Sequence, residues 1–201
     1  MKKSIFLAAL GLAMSVAMSE GQGVVNFSSY DANTGVGATT SYFFGGPIGI
    51  PYQAELYYAL GTVSDPVDYS SWASISSLPS PALTLYTGQN ATAAYDNSGL
   101  ANGVQGLGYF DGGLVVIPDY TGGPITFEIE AFNGTSIADS TSRGRSGSFT
   151  MDSIALLPGP VSNLGDNGQP MPDFFVSAPE PATLALTGLG GLVALAAFRH
   201  K

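Results

Sequence analysis

The chain has no cysteine, one histidine, one tryptophan, and only 10% charged residues among 201. Soluble domains average about 25% charged. Without cysteine there is no disulfide framework, thiol nucleophile, iron–sulfur cluster or thiolate zinc site. The lone histidine, His200, is the penultimate residue. The stretch before it therefore lacks the histidine of a Ser-His-Asp arrangement and any imidazole metal ligand. Lysine occurs only at positions 2, 3 and 201, which excludes a Ser-Lys dyad or a Schiff base from the body of the chain. Positive charge is scarcest of all. Between Asp31 and Asp173, 13 acidic residues face only Arg143 and Arg145, a balance of −11. Such a surface repels nucleic acid, whose binding rests on neutralising phosphates. Hydrophobic content is an ordinary 45%, so low charge does not here mean a disordered acidic tail.

What is present begins at the ends. Lys2 and Lys3 precede an apolar run from Ile5 to Val16, and small residues follow at Ala17, Ser19 and Gly21. This is the order of a secretory signal peptide, residues 1–19, cut after Ser19 with Ala17 and Gly21 as alternatives. The apolar run is too short to favour a stable span. At the other end, Pro179-Glu180-Pro181 precedes 17 uncharged residues, Ala182 to Phe198, and Arg199-His200-Lys201 closes the chain. As a helix that segment reaches about 25 Å, the short end of what crosses a bilayer. Basic residues stay cytoplasmic. Both ends thus predict a body outside the cytoplasmic membrane.

The order motif, span, basic tail resembles the PEP-CTERM sorting signal of Gram-negative bacteria. Pro179, Glu180 and Pro181 match its motif residue by residue; the tail Arg199, His200, Lys201 is less Arg-rich than usual. The resemblance implies recognition and removal of the tail by exosortase, after signal peptidase has acted at the N-terminus. The physics is compatible. Two prolines without N–H donors hold an extended, unpaired segment, the form a protease-like site accepts. A permanent, unprocessed anchor is the simpler alternative.

The body, residues 20–177, shows no convincing helical period. Removing both ends leaves roughly 155 residues, enough for one domain with one core. Strand-type runs are Gly23–Tyr30, Gln53–Leu60, Ala82–Thr87, Gly113–Pro118, Pro124–Phe132, Gly147–Met151 and Asp173–Val176, bounded by Gly, Pro, Asn and Asp. In Pro124–Phe132 the alternation places Ile125, Phe127, Ile129 and Ala131 inward and Glu128 and Glu130 in water. Asp68–Ser77, carrying Trp72, reads as one helical turn or a loop. The expected fold is all-β, an antiparallel β-sandwich of Ig-like or jelly-roll type. The blocks Gly23-Val-Val-Asn-Phe27, Gln53-Ala-Glu-Leu-Tyr57, Gly108-Tyr-Phe-Asp-Gly-Gly113 and Pro124–Phe132 resemble, in that order, a group of PEP-CTERM proteins from Verrucomicrobia-type bacteria. That resemblance implies no activity.

Catalytic candidates are few. Glu128 and Glu130 share a strand face, and a close carboxyl pair could serve a glycosidase; a solvated outer face is the simpler reading. Asp31-Ala-Asn33-Thr-Gly35 echoes a calcium loop, but glycine replaces the third ligand and no bidentate Glu follows. It, Asp96-Asn97 and Asp166-Asn167 read as Asx turns. Arg143-Gly-Arg145 reads as a flexible loop. Asn26, Asn90 and Asn133 begin Asn-x-Ser/Thr sequons of no special meaning. Tyrosines and Trp72 could stack on sugars, although cores need aromatics too. No catalytic, cofactor or metal residue is assigned. The expectation is a non-enzymatic surface or matrix protein. A carbohydrate-binding module in the extracellular polysaccharide is the alternative, and a carboxylate-pair glycoside hydrolase a more distant one.

Overall fold

In a computed structural model, residues 22–31, 36–42, 45–65, 72–96 and 107–177 are described. The sorting motif, span and tail, the signal peptide, and residues 32–35 of the calcium-like loop lie outside them. The described chain is mostly β, in antiparallel sheets. Its strands are β1 (Gly23–Ser28), β2 (Tyr30–Asp31), β3 (Val36–Gly37), β4 (Thr40–Tyr42), β5 (Gln53–Leu60), β6 (Thr84–Leu85), β7 (Thr92–Ala94), β8 (Asp111–Ile117), β9 (Ile125–Phe132), β10 (Arg143–Arg145), β11 (Phe149–Met151), β12 (Ala155–Leu156), β13 (Ser162–Asn163) and β14 (Phe174–Val176). One helical turn, α1 (Trp72–Ile75), lies where the sequence allowed a turn or a loop.

Two sheets carry the core. In the larger, β5 and β9 pair along their full length, from Gln53 opposite Phe132 to Leu60 opposite Ile125. β10 and β11 share the far edge of β9, and β6 and β7 share the far edge of β5. In the smaller, β1 lies between β8 on one edge and β12 and β13 on the other. The side chains pointing between the sheets form one apolar cluster. Val25, Phe27, Val115 and Ile117 come from the smaller sheet, and Leu56, Ile125, Phe127 and Ile129 from the larger. Phe27, Phe110 and Tyr95 stack in sequence, with centroids 5.0 and 5.4 Å apart, a tilted geometry that suits the ring quadrupole.

Not every pairing is antiparallel. β13 runs parallel to β1, and β14 runs parallel to β4. The second of these brings the last described strand back against the first part of the body. Gly144 in β10 makes room for it. A Cβ there would overlap the carbonyl oxygen of Phe175 and lie 2.7 Å from Val176 Cα.

The larger sheet has no water-facing side at β9. All eight residues of β9 are buried. The described parts of the connection from β5 to β6, residues 61–65 and 72–83, are tied across its second face. The Val63 N–H donates to Thr126 Oγ1 at 2.9 Å, Asp65 N–H to Ser148 Oγ at 3.0 Å, and Arg143 Nε to the Ser76 carbonyl at 3.0 Å. Glu128 and Glu130 are each 0% exposed, which overturns the expectation that they face water. The alternation itself is right: Ile125, Phe127, Ile129 and Ala131 fill the main core. A non-local segment, invisible to the period of β9, covers the other face. Arg143-Gly-Arg145 is likewise no flexible loop but the strand β10, paired to β9.

Candidate functional site

The register of the larger sheet builds one charged row. Glu55 on β5, Glu130 on β9 and Arg145 on β10 are directly opposite one another. Glu128 lies two residues along β9, opposite Tyr57. Arg145, 1% exposed, donates from Nη1 to Glu128 Oε1 at 2.9 Å, and its Nη2 stands 3.3 Å from Asp65 Oδ2. Buried ions of this kind persist only when paired. Arg145 answers two carboxylates, one from the sheet and one from the crossover. Neither oxygen of Glu130 has a hydrogen-bond partner among the described residues.

Burial dominates the acidities. It pushes Glu130 up to about 8, opposed by Arg143 and Arg145 and reinforced by Glu128 and Glu55. It pushes Glu128 up to about 7, against the pull of Arg145, with Asp65 adding to the rise. Glu55, half-buried, is raised by burial too. The Tyr57 hydroxyl is raised by burial and by the neighbouring glutamates. With more carboxyls than guanidinium groups on this face, a protonated Glu130 at neutral pH is the low-energy state: a buried acid sheds its charge before it goes unpaired.

The two glutamates that the sequence singled out are thus together and buried. That placement suits a structural ion cluster rather than a cleft. Among the described residues, the cavities found elsewhere include two that are not lined by either glutamate. One, about 280 Å³, is bordered by Ser29, Tyr30, Asn163, Asp166 and Met171. Asp166 there accepts from the Asn163 N–H at 2.6 Å, a bond back to the residue three before it rather than the forward bond of an Asx turn. The other, about 340 Å³, is bordered by Gln22, Tyr58, Thr84, Tyr86, Thr87 and Val116. The rings of Tyr58 and Tyr86 meet edge to face at 6.4 Å. The Tyr86 hydroxyl accepts from the Val116 N–H at 3.2 Å and donates to the Gln89 carbonyl at 3.2 Å, so it spans the gap to β8.

The sequon asparagines make contacts within the fold, and Asn97 lies outside the described residues. Asn26 donates to Asn163 Oδ1, Asn90 to the Leu114 carbonyl, and Asn133 Oδ1 accepts from Thr141 and Ser142 N–H. Tyr52, Tyr86, Tyr95 and Tyr120 are core residues. Among the described residues no group of three Asp, Glu, His or Cys side chains is placed to hold a metal, and no helix is long and apolar enough to cross a membrane. The sequence missed Asp65 and the buried role of Arg145. The one available signal was an unexplained arginine pair in a chain almost devoid of positive charge.

Compared with protein-family models, with curated proteins and with solved structures, the chain finds no match.

Proposed function

We propose that this chain is an exported, non-enzymatic cell-surface or extracellular-matrix protein, sorted through Pro179-Glu180-Pro181. The observation that carries the reading is the order of the C-terminal parts: a stiff motif, a minimal uncharged segment, and Arg199-His200-Lys201. The body is a β-sandwich in this reading, its two sheets sharing one core, with strand positions open to either the Ig-like or the jelly-roll arrangement. Its partners are signal peptidase and exosortase during processing, and the membrane until the tail is removed. The attachment of the last described residue supports it. Ser177 N–H donates to the Arg143 carbonyl at 3.0 Å, and Ser142 Oγ donates to the Ser177 carbonyl. Ser177 is thus tied to β10 two positions before Pro179 in the sequence. The burial of Glu128 and Glu130 supports a non-enzymatic role, since fully covered carboxyls reach no substrate.

The test is the intact mass of the protein from membrane and extracellular fractions. Loss of residues 182–201 is expected, and Glu180→Ala is expected to leave export intact while the full-length form accumulates in the membrane. Peptides running through Pro181 into the apolar segment in most of the wild-type protein would overturn the reading in favour of a plain anchor.

The second cavity favours one further reading, a carbohydrate-binding module acting on exopolysaccharide. Its volume lies within the range of small-molecule sites, and it combines two tyrosine rings with neutral hydrogen-bonding groups. Polysaccharide retardation of the purified body in native gels, lost in Tyr58→Ala, is the expected result; equal mobility with and without polysaccharide would remove this reading.

A further inference from the structure

Resting on the carbohydrate-binding reading of the second cavity, we infer that the site takes uncharged polysaccharide and rejects chains that bear uronate, sulfate or phosphate. Three observations carry it. None of the residues lining the cavity is charged, and all of them are described. Its neutral polar groups are unspent: the side chains of Gln22, Tyr58, Thr84 and Thr87 make no hydrogen bond among the described residues. No cation is at hand to pair an anion. Arg143 and Arg145 both belong to β10, which β9 and β5 separate from β6 beside the cavity, about 14 Å at the usual strand spacing. Arg145 is buried and paired with Glu128 and Asp65, and Arg143 donates to the Ser76 and Ile137 carbonyls. The remaining Lys and Arg are residues 2, 3, 199 and 201, at the chain ends.

The charge nearest the cavity is negative. Asp119 follows Pro118 of the lining, and burial, then the Asp119 carboxylate, push the Tyr58 hydroxyl up. An anionic sugar in the cavity would stand near that carboxylate with no counter-charge, and desolvating an unpaired charge is costly. A neutral sugar instead meets hydroxyl and amide groups that donate or accept as its own hydroxyls require. The two tyrosines differ in role. The Tyr86 hydroxyl is held between the Val116 N–H and the Gln89 carbonyl, which fixes its ring as a wall. Tyr58 lies directly opposite Thr84 across the β5–β6 pair, and its uncommitted hydroxyl is the group left to read a sugar hydroxyl.

Calorimetric titration of the full chain, in a detergent without a sugar headgroup, tests this with probes matched in backbone. They are hydroxyethyl cellulose against carboxymethyl cellulose, dextran against dextran sulfate, and methyl-esterified pectin against polygalacturonate. At about 1 M salt the screening length is about 3 Å. Long-range repulsion by the acidic body and attraction by the basic chain ends are then both removed, and only contacts in the cavity discriminate. Under these conditions a neutral probe is expected to bind about tenfold or more tightly than its anionic counterpart. Tyr58→Phe, which keeps the ring, is expected to weaken that binding about two- to tenfold, the worth of one hydrogen bond, and Tyr58→Ala to abolish it. Thr84→Arg, at an exposed position, supplies the missing cation and is expected to strengthen binding of the anionic counterpart about threefold or more. No binding of any probe would end the carbohydrate reading and this inference with it. An anionic probe bound as tightly as its neutral counterpart, and lost in Tyr58→Ala, would overturn the inference while the carbohydrate reading stands. Neutral binding that survives Tyr58→Ala would overturn it by placing the site elsewhere, and so would a Thr84→Arg variant that keeps the neutral probe and gains nothing for the anionic one.

Discussion

Among the described residues, Arg145 is shared by two buried ion pairs. It is the one guanidinium in contact with both Glu128 and Asp65, and it lies at 1% exposure between the sheet and the crossover. Removing one member of a buried ion cluster leaves its partners desolvated and uncompensated, typically at 3–5 kcal/mol. Arg145→Met is therefore expected to lose about 3–5 kcal/mol in urea unfolding at pH 8.5. The loss should be smaller at pH 5, because Glu128, already pushed up to about 7 by burial, is then neutral without help. Adding Glu128→Gln to Arg145→Met should recover part of the deficit at pH 8.5, since one stranded charge is gone. A pH-independent loss, with no recovery in the double variant, would show that Arg145 matters through packing alone.

At the scale of elements, β14 depends closely on a single residue, Gly144. It lies parallel to β4, with Phe174 opposite Thr40 and Val176 opposite Tyr42, and it crosses β10 at Gly144. No rotamer change can accommodate a methyl group against backbone atoms at that crossing. Gly144→Ala is expected to displace β14 and to cost about 1–3 kcal/mol, the usual range for forced overpacking. Limited proteolysis should then cut within 173–177 at a protease dose that leaves the wild type intact. Core strands respond by a different mechanism. Leu56→Ala opens a cavity between the sheets and is expected to cost about 2–5 kcal/mol in the same unfolding assay. Unchanged proteolysis in Gly144→Ala would mean that the two strands slide past one another freely.

For the whole molecule the buried glutamates set the sign of the pH dependence. Both have folded-state acidities above their ordinary value of 4.5, at about 7 for Glu128 and about 8 for Glu130. Their contribution to stability is complete below about pH 4.5 and is lost as pH rises through about 7 and then about 8. Asp139 acts in the opposite sense at the acid end, held low by bonds from Thr135 and from the Ser136 N–H. Stability should therefore peak on the mildly acidic side. Unfolding free energy at pH 5 is expected to exceed that at pH 8.5 by about 3–5 kcal/mol for the coupled pair. A flat profile between those values would mean that the cluster is neutral, or hydrated, at both. The strong negative charge of the body works in the same direction, since self-repulsion grows as the last carboxyls ionise.

Much of the all-β character could be read from residues alone, because period-2 patterning and turn residues act locally. Gln53–Leu60 is a strand over that whole range, and Pro124–Phe132 differs from β9 by one residue. Asp173–Val176 contains β14, but the short strands β3, β4, β12 and β13 carry no such pattern. Two or three residues are too few for a period, and apart from β2–β3 their partners lie far away in sequence. The candidate site shows the same division. The sequence paired Glu128 with Glu130 on one face and separated them from Ile125, Phe127 and Ile129, as any strand must. Which side of that face meets water depends on what else packs there. Only the tertiary fold, by bringing Val63, Asp65 and Arg145 against β9, turned a solvated outer face into a buried ion cluster. Burial is a property of the assembled neighbours, and no local repeat encodes it.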